Sequence, residues 1–259
     1  MRRPACILAA LLAILLAGAA VRAQAPQTIS PDRANAQTTD GGFRRAYQNP
    51  YLDHALGGYA QTSCKAAIPI AVARTQRIFP WFDEERAPQF SFHANAALDT
   101  PASPWAGGYY LRDRHIVYVQ HVPVLLDQGR LLQTMQHECV HAALALAGSA
   151  RLPLWLEEGC ALYFSGQEIL RAPEGSRTAR TLAELEANIQ TLSAQNDQAA
   201  WEEVRASHAQ ARRIVSLLAG RLGAMHCVNF LRVLKNGTPF AQALASYYAL
   251  EVRELYAWL

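Results

Sequence analysis

The segment His137-Glu138-Cys139-Val140-His141 constrains this chain more than any other feature. A step of four residues turns an α-helix by about 400°, so two histidines four apart stand on one face, one turn apart. Leu132, Met135, Cys139, Ala142 and Leu146 recur at steps of three and four and form an apolar stripe roughly opposite them. The segment therefore predicts a helix with one packed face and one face lining a site. Cys139 falls on the packed stripe and reads as a small buried hydrophobe. The histidine spacing allows both imidazoles to hold one Zn²⁺. Glu138 then points to the side of the pair, where it can serve as general base towards a zinc-bound water without competing for the metal. A catalytic zinc takes three protein ligands, so the motif requires a third residue from elsewhere.

The rest of the chain sets the context for that helix. Arg2 and Arg3 precede an apolar run from Ala5 to Val21, and Ala23-Gln24-Ala25 follows. This is the layout of a cleaved secretory signal over residues 1–25, which predicts an exported protein, periplasmic or secreted, with no membrane span after cleavage. Residues 26–50 are polar, aperiodic and rich in Gln, Thr, Ala and Gly, and read as a flexible linker. One domain is expected over 51–259. The net charge of +3 is spread out, and no dense basic run or basic–aromatic interleaving suggests a nucleic-acid partner. Four cysteines outlast the leader: Cys64, Cys139, Cys160 and Cys227. Export permits disulfides, and Cys64–Cys227 is the first pairing to test, because Cys139 and Cys160 flank site residues.

A coarse reading of the domain places sheet before helix. His54 to about Ile78 reads as helical with a break or kink at Pro69. Gln89–His93 alternates as a short strand, and Gly107–Leu111 with Ile116–Val119 flank Arg112-Asp113-Arg114 as a β-hairpin. Asp127 is expected to cap one long helix reaching Leu146, with Gly148 as its stop. Pro153 opens a second helix ending near Gly166, and Thr181 with Glu184 forms a capping box for a third. Helical patterning continues through Trp201–Leu222, Cys227–Leu234 and Phe240–Leu259. The fold class is α+β, a small N-terminal sheet and hairpin packed on a mainly helical domain.

The segment Trp155-Leu156-Glu157-Glu158-Gly159-Cys160-Ala161 follows the histidine helix after a short break. At this point the chain resembles the gluzincin metallopeptidases, and in particular the peptidase MA-like group, which carry HExxH followed by W-L-x-E-G-x-A. The resemblance implies a zincin-like fold and makes Glu158, the residue before the glycine, the third zinc ligand beside His137 and His141. It leaves Glu157 at the variable position, read as solvent-facing. Phe230-Leu231 through Gly237-Thr238-Pro239-Phe240 and Ala243-Leu244 is similar to that group's C-terminal helices. The group commonly has a tyrosine opposite the metal, where this chain offers His208.

These residues imply hydrolysis of peptide bonds in a peptide or protein substrate, with Glu138 as general base. A donor to the oxyanion is also required. His208 is favoured, with Tyr109, Tyr110, Tyr163, Tyr247 and Tyr248 open. In gluzincins a strand before the metal helix pairs with substrate backbone. Gly108, Tyr109 and Tyr110 are the matching candidates here, set against a purely structural hairpin. Two further readings stand beside this one. The same zinc chemistry serves non-peptide amides, and the chain could be a non-catalytic exported zinc-binding domain of zincin fold.

Overall fold

Four short strands and one long helix fill the first half of the described residues, and helices follow. The computed structural model describes residues 46–96, 106–167, 178–192 and 198–259. The expected leader, and the expected linker up to residue 45, lie outside them. A mixed four-stranded sheet contains β1 (Tyr51–Leu52), β2 (Gln89–Phe92), β3 (Gly108–Leu111) and β4 (Ile116–Val119), in the order β1-β2-β4-β3. β1 and β2, and β2 and β4, pair in parallel; β3 runs antiparallel to β4 and forms an edge. Val117 and Val119 are buried while Ile116 and Tyr118 are half-buried, the period-two pattern of a strand packed on one face.

The helix α1 (Gly58–Ile78) continues unbroken through Pro69, where a break or kink was expected. Proline removes one donor to the carbonyl four residues back. Pro69 and Lys65 both lie on the exposed face, where water can satisfy that carbonyl. The region expected to form one long helix from Asp127 is two: α2 (Val122–Asp127) and α3 (Leu131–Leu146). Gly129 N–H and Arg130 N–H bond back to the carbonyls of Leu126 and Leu125, closing α2 before α3 begins. Asp127 therefore ends a helix instead of capping one.

α4 (Leu154–Ser165) starts after Pro153 and stops at Gly166. Its first free N–H groups, on Leu154 and Trp155, each donate to the carboxylate of Glu186 at 2.9 Å. Glu186 comes from α5 (Leu182–Leu192), so a carboxylate from one helix satisfies the N-terminus of another. Thr181 caps α5 through its hydroxyl, which accepts from Glu184 N–H at 3.1 Å. α6 (Gln198–Leu222), α7 (Ala224–Lys235) and α8 (Phe240–Tyr248) complete the helical layer, and a 3-10 segment covers Val252–Trp258. The expected single helix over 240–259 is interrupted because Ala249 turns left-handed, with φ 52.

α3 is the central helix: Met135, Cys139, Val140, Ala142, Ala143 and Leu144 have no exposed surface. Leu146, at the end of the expected stripe, is instead 39% exposed. Trp81 donates to Ala143 O at 2.9 Å, and Gln136 donates to Phe164 O at 3.0 Å, tying α3 to the segment after α1 and to the end of α4. All four cysteines in the described residues are free and buried, so the expected Cys64–Cys227 bridge is not formed. Cys64 packs in the buried stripe of α1, and the thiol of Cys227 has Cys160 and Tyr248 for neighbours. Among the described residues, no single helix is long and apolar enough to cross a bilayer.

Candidate metal centre

The packing of α4 on α3 brings three side chains to one point. His137 Nε2 and His141 Nε2 are 3.1 Å apart, as one helical turn dictates. Glu158 reaches them from the first turns of α4, with Oε2 3.5 Å from His137 Nε2 and Oε1 3.5 Å from His141 Nε2. One ligand atom from each lies within 4.8 Å of the others, so His137, His141 and Glu158 could together hold a metal ion. Two features place Glu158 there. Glu186 fixes the start of α4, and Gln136, one residue before His137, anchors its end.

Glu138 stands beside this cluster and is almost wholly buried. Its neighbour is the edge strand. A Cβ at Gly108 would lie 3.1 Å from Glu138 Cγ, 3.1 Å from its Oε1 and 3.0 Å from Thr134 Cγ2, so β3 lies directly on α3 only because residue 108 has no side chain. The N–H of Tyr110 donates to the Glu138 carboxylate. Burial pushes the Glu138 carboxyl up to about 8; the Glu158 charge adds to the rise, and His141 and the Tyr110 N–H oppose it.

Backbone phase decides which groups of β3 are free. Gln120 N–H donates to Gly107 O at 2.8 Å, so Gly107, Tyr109 and Leu111 turn their backbone groups towards β4. Gly108 and Tyr110 turn theirs to the open edge, above Glu138. Of the three expected substrate-contacting residues, Tyr109 is thus on the wrong phase. Its ring stacks on Tyr118 with centroids 4.9 Å apart.

His208, the favoured oxyanion donor, comes from α6. Its Nε2 is 3.4 Å from Glu158 Oε2, and its Nδ1 donates to Val204 O at 2.9 Å, which orients the ring. The approach of α6 depends on Gly159, where a Cβ would lie 2.6 Å from Ala211 O. The tyrosines held open beside His208 have other partners. Tyr110 OH donates to His115 Nδ1 at 2.6 Å, because His115 Nε2 must donate to Arg86 O at 2.8 Å. Burial pushes that phenol up to about 12. Tyr163 packs edge-on against Phe164, and Tyr247 and Tyr248 pack around His226 and Phe230.

The cluster is one carboxylate among three imidazoles. Burial alone would raise Glu158, but charge from His141 and hydrogen bonds from His137, His141 and His208 hold it well below the usual carboxylate range. Burial would lower His141, yet Glu158, with Glu138 and Glu157 assisting, raises it to about 9. At His137 burial prevails and the imidazole is held below its ordinary range. His137 Nδ1 is buried without a hydrogen-bond partner.

Glu157 is not solvent-facing as expected. Its side chain is 15% exposed and accepts from Arg112 NH2 at 2.9 Å, joining α4 to the hairpin turn. Lys235, at the end of α7, has no exposed surface and its Nζ has no hydrogen-bond partner. Burial and the Arg112 charge lower its amine, while Glu157 opposes them. The Arg112–Glu157 pair did not stand out in the sequence, because the two are 45 residues apart and no local pattern links them.

Compared with family models, with characterised proteins and with solved structures, the chain matches none.

Proposed function

We propose that this chain is a zinc-dependent metallopeptidase of the gluzincin type, similar to the peptidase MA-like group, acting on peptide or protein substrates after export. The observation that carries this reading is the convergence of His137, His141 and Glu158 beside a buried Glu138. Ligands about 2.0–2.1 Å from a tetrahedral zinc are separated from one another by about 3.3–3.4 Å. The two nitrogens stand 3.1 Å apart, each is 3.5 Å from a different oxygen of Glu158, and one atom from each residue lies within 4.8 Å of the others; two imidazoles with one carboxylate suit a catalytic zinc. When bound there, zinc supplies Lewis-acid polarisation of the scissile carbonyl and activation of water.

The chain's own residues supply the rest. Glu138, kept basic by burial, takes the proton of the attacking water and passes it to the leaving amine. The Tyr110 N–H and the bare Gly108 hold that carboxylate in one place. His208, its ring set by Val204 O, donates from Nε2 to the oxygen that gains charge as the carbonyl is attacked; because Nδ1–H is already given to Val204 O, this role requires the imidazolium form, with a hydrogen on both nitrogens. The outward backbone groups of Gly108, and the carbonyl of Tyr110, pair with an extended substrate along the open edge of β3. Tyr110 N–H stays with Glu138, so the substrate ladder has a gap at that position.

Incubating the zinc-loaded domain with a broad peptide library tests the reading. Cleavage that a chelator abolishes and zinc restores is expected. A fully loaded protein that cleaves no peptide would contradict it.

A further inference from the structure

We infer that Arg112, backed by Lys235, recognises a carboxylate of the substrate about two residues from the bond that is cleaved. This inference rests on the peptidase reading above and names a substrate class for the same site.

The position follows from the edge strand. β3 ends at Leu111, and Arg112 is the first residue of the turn. A strand advances ~3.3 Å per residue, so Arg112 lies roughly 7 Å beyond Tyr110, whose N–H holds Glu138. An extended substrate on that edge covers the same distance in two residues. The Arg112 side chain is 45% exposed, so it remains open to a bound group.

The chemistry follows from charge. Arg112 gives one NH2 to Glu157 at 2.9 Å, and a guanidinium carries five N–H donors, so its fork keeps donors for a second carboxylate. Lys235 adds a second cation in the field of the same pair, fully buried, its Nζ without a partner. A buried amine is ordinarily hydrogen-bonded, and this one has no acceptor. Around the turn, basic groups outnumber acidic ones: Arg112, Arg114 and Lys235 against Asp113 and Glu157. An incoming carboxylate balances that excess. Its source is a free C-terminus or an Asp or Glu side chain.

The test compares kcat/KM of the zinc-loaded protein on matched peptides. They carry Asp or Glu against Asn or Gln two residues either side of the cleaved bond, with the C-terminus free or amidated. Carboxylate peptides are expected to be preferred about tenfold. The arm that carries the preference identifies the source. Arg112→Gln is expected to remove the preference while neutral peptides change less than about threefold. Lys235→Met is expected to weaken it, and Glu157→Gln, which leaves Arg112 in place and removes its competing carboxylate, to strengthen it. If Arg112→Gln does not fold, Glu157→Gln decides alone. If Arg112→Gln and Glu157→Gln slow all peptides equally, the pair is a structural latch and the inference is overturned. A wild-type enzyme that cleaves peptides with no carboxylate preference overturns the inference and leaves the peptidase reading intact. No cleavage of any peptide overturns both.

Discussion

The two sides of the candidate site are built differently. On one side, α3 supplies His137, Glu138 and His141 within five residues, and α4 adds Glu158 after a short turn. On the other, the edge strand β3 and its turn meet α3 and α4 through contacts between residues far apart in the chain, and Lys235 at the end of α7 feels the charges of Arg112 and Glu157. The first side is a matter of helical periodicity, and its geometry follows from 3.6 residues per turn. The second depends on where whole elements come to rest. Local spacing concentrates ligating and titratable groups, while tertiary packing orients them.

The largest expected effect falls on the first side. Glu138→Gln removes the proposed base while keeping the side chain's shape, and about a 10²–10⁴-fold loss of kcat is expected with zinc still bound. Activity within tenfold of wild type would remove Glu138 from the mechanism. Next is Gly159→Ala, which probes the packing that joins α4 to α6. A Cβ 2.6 Å from Ala211 O must push the helices apart. A loss of about 1–3 kcal/mol in urea unfolding is expected, together with a fall in kcat from the displaced His208. Unchanged stability would mean that the two helices are not held in contact.

The same contrast explains how much was legible. The hairpin and the limits of α4 were readable from alternation, Pro153 and Gly166. The His137–Glu138–His141 face was readable from spacing, and Glu158 and His208 were reached through resemblance to a family pattern. Arg112–Glu157, the buried Lys235 and the Glu186 cap were not, because each pairs residues distant in sequence and none forms a periodic signal. The split between α2 and α3 was missed because Asp127 fits a helix start as well as a helix end. The continuous α1 was missed because a proline's cost depends on whether water reaches the carbonyl it leaves unbonded.

Two smaller effects sharpen the comparison. In the metal-free protein, His141 is held up at about 9 against 6.5, and Glu138 at about 8 against 4.5. The folded state therefore binds more protons than the unfolded chain between pH 6.5 and 9. Its stability should fall as pH rises through that window. The opposing shift of His137 acts only below 6.5, and that of Lys235, which acts below 10.5, is smaller than the two it opposes. Thermal unfolding of the metal-free domain should show a Tm that drops from pH 6.5 to 9, and a flat or rising Tm would contradict the charge balance described. The smallest effect is at Glu186→Gln. Losing the charged cap on Leu154 and Trp155 N–H should cost about 1 kcal/mol by denaturant titration, and no loss would show that α4 is fixed by other contacts.

The central claim is that residues from two helices form one zinc site, and the most direct test is the zinc content of the purified domain beside that of Glu158→Ala. One zinc per chain is expected in the wild type, and a loss of about 10-fold or more in zinc affinity in the variant, with the fold intact by circular dichroism. A wild-type domain that binds no zinc, or a variant that binds it as tightly as the wild type, would contradict the account.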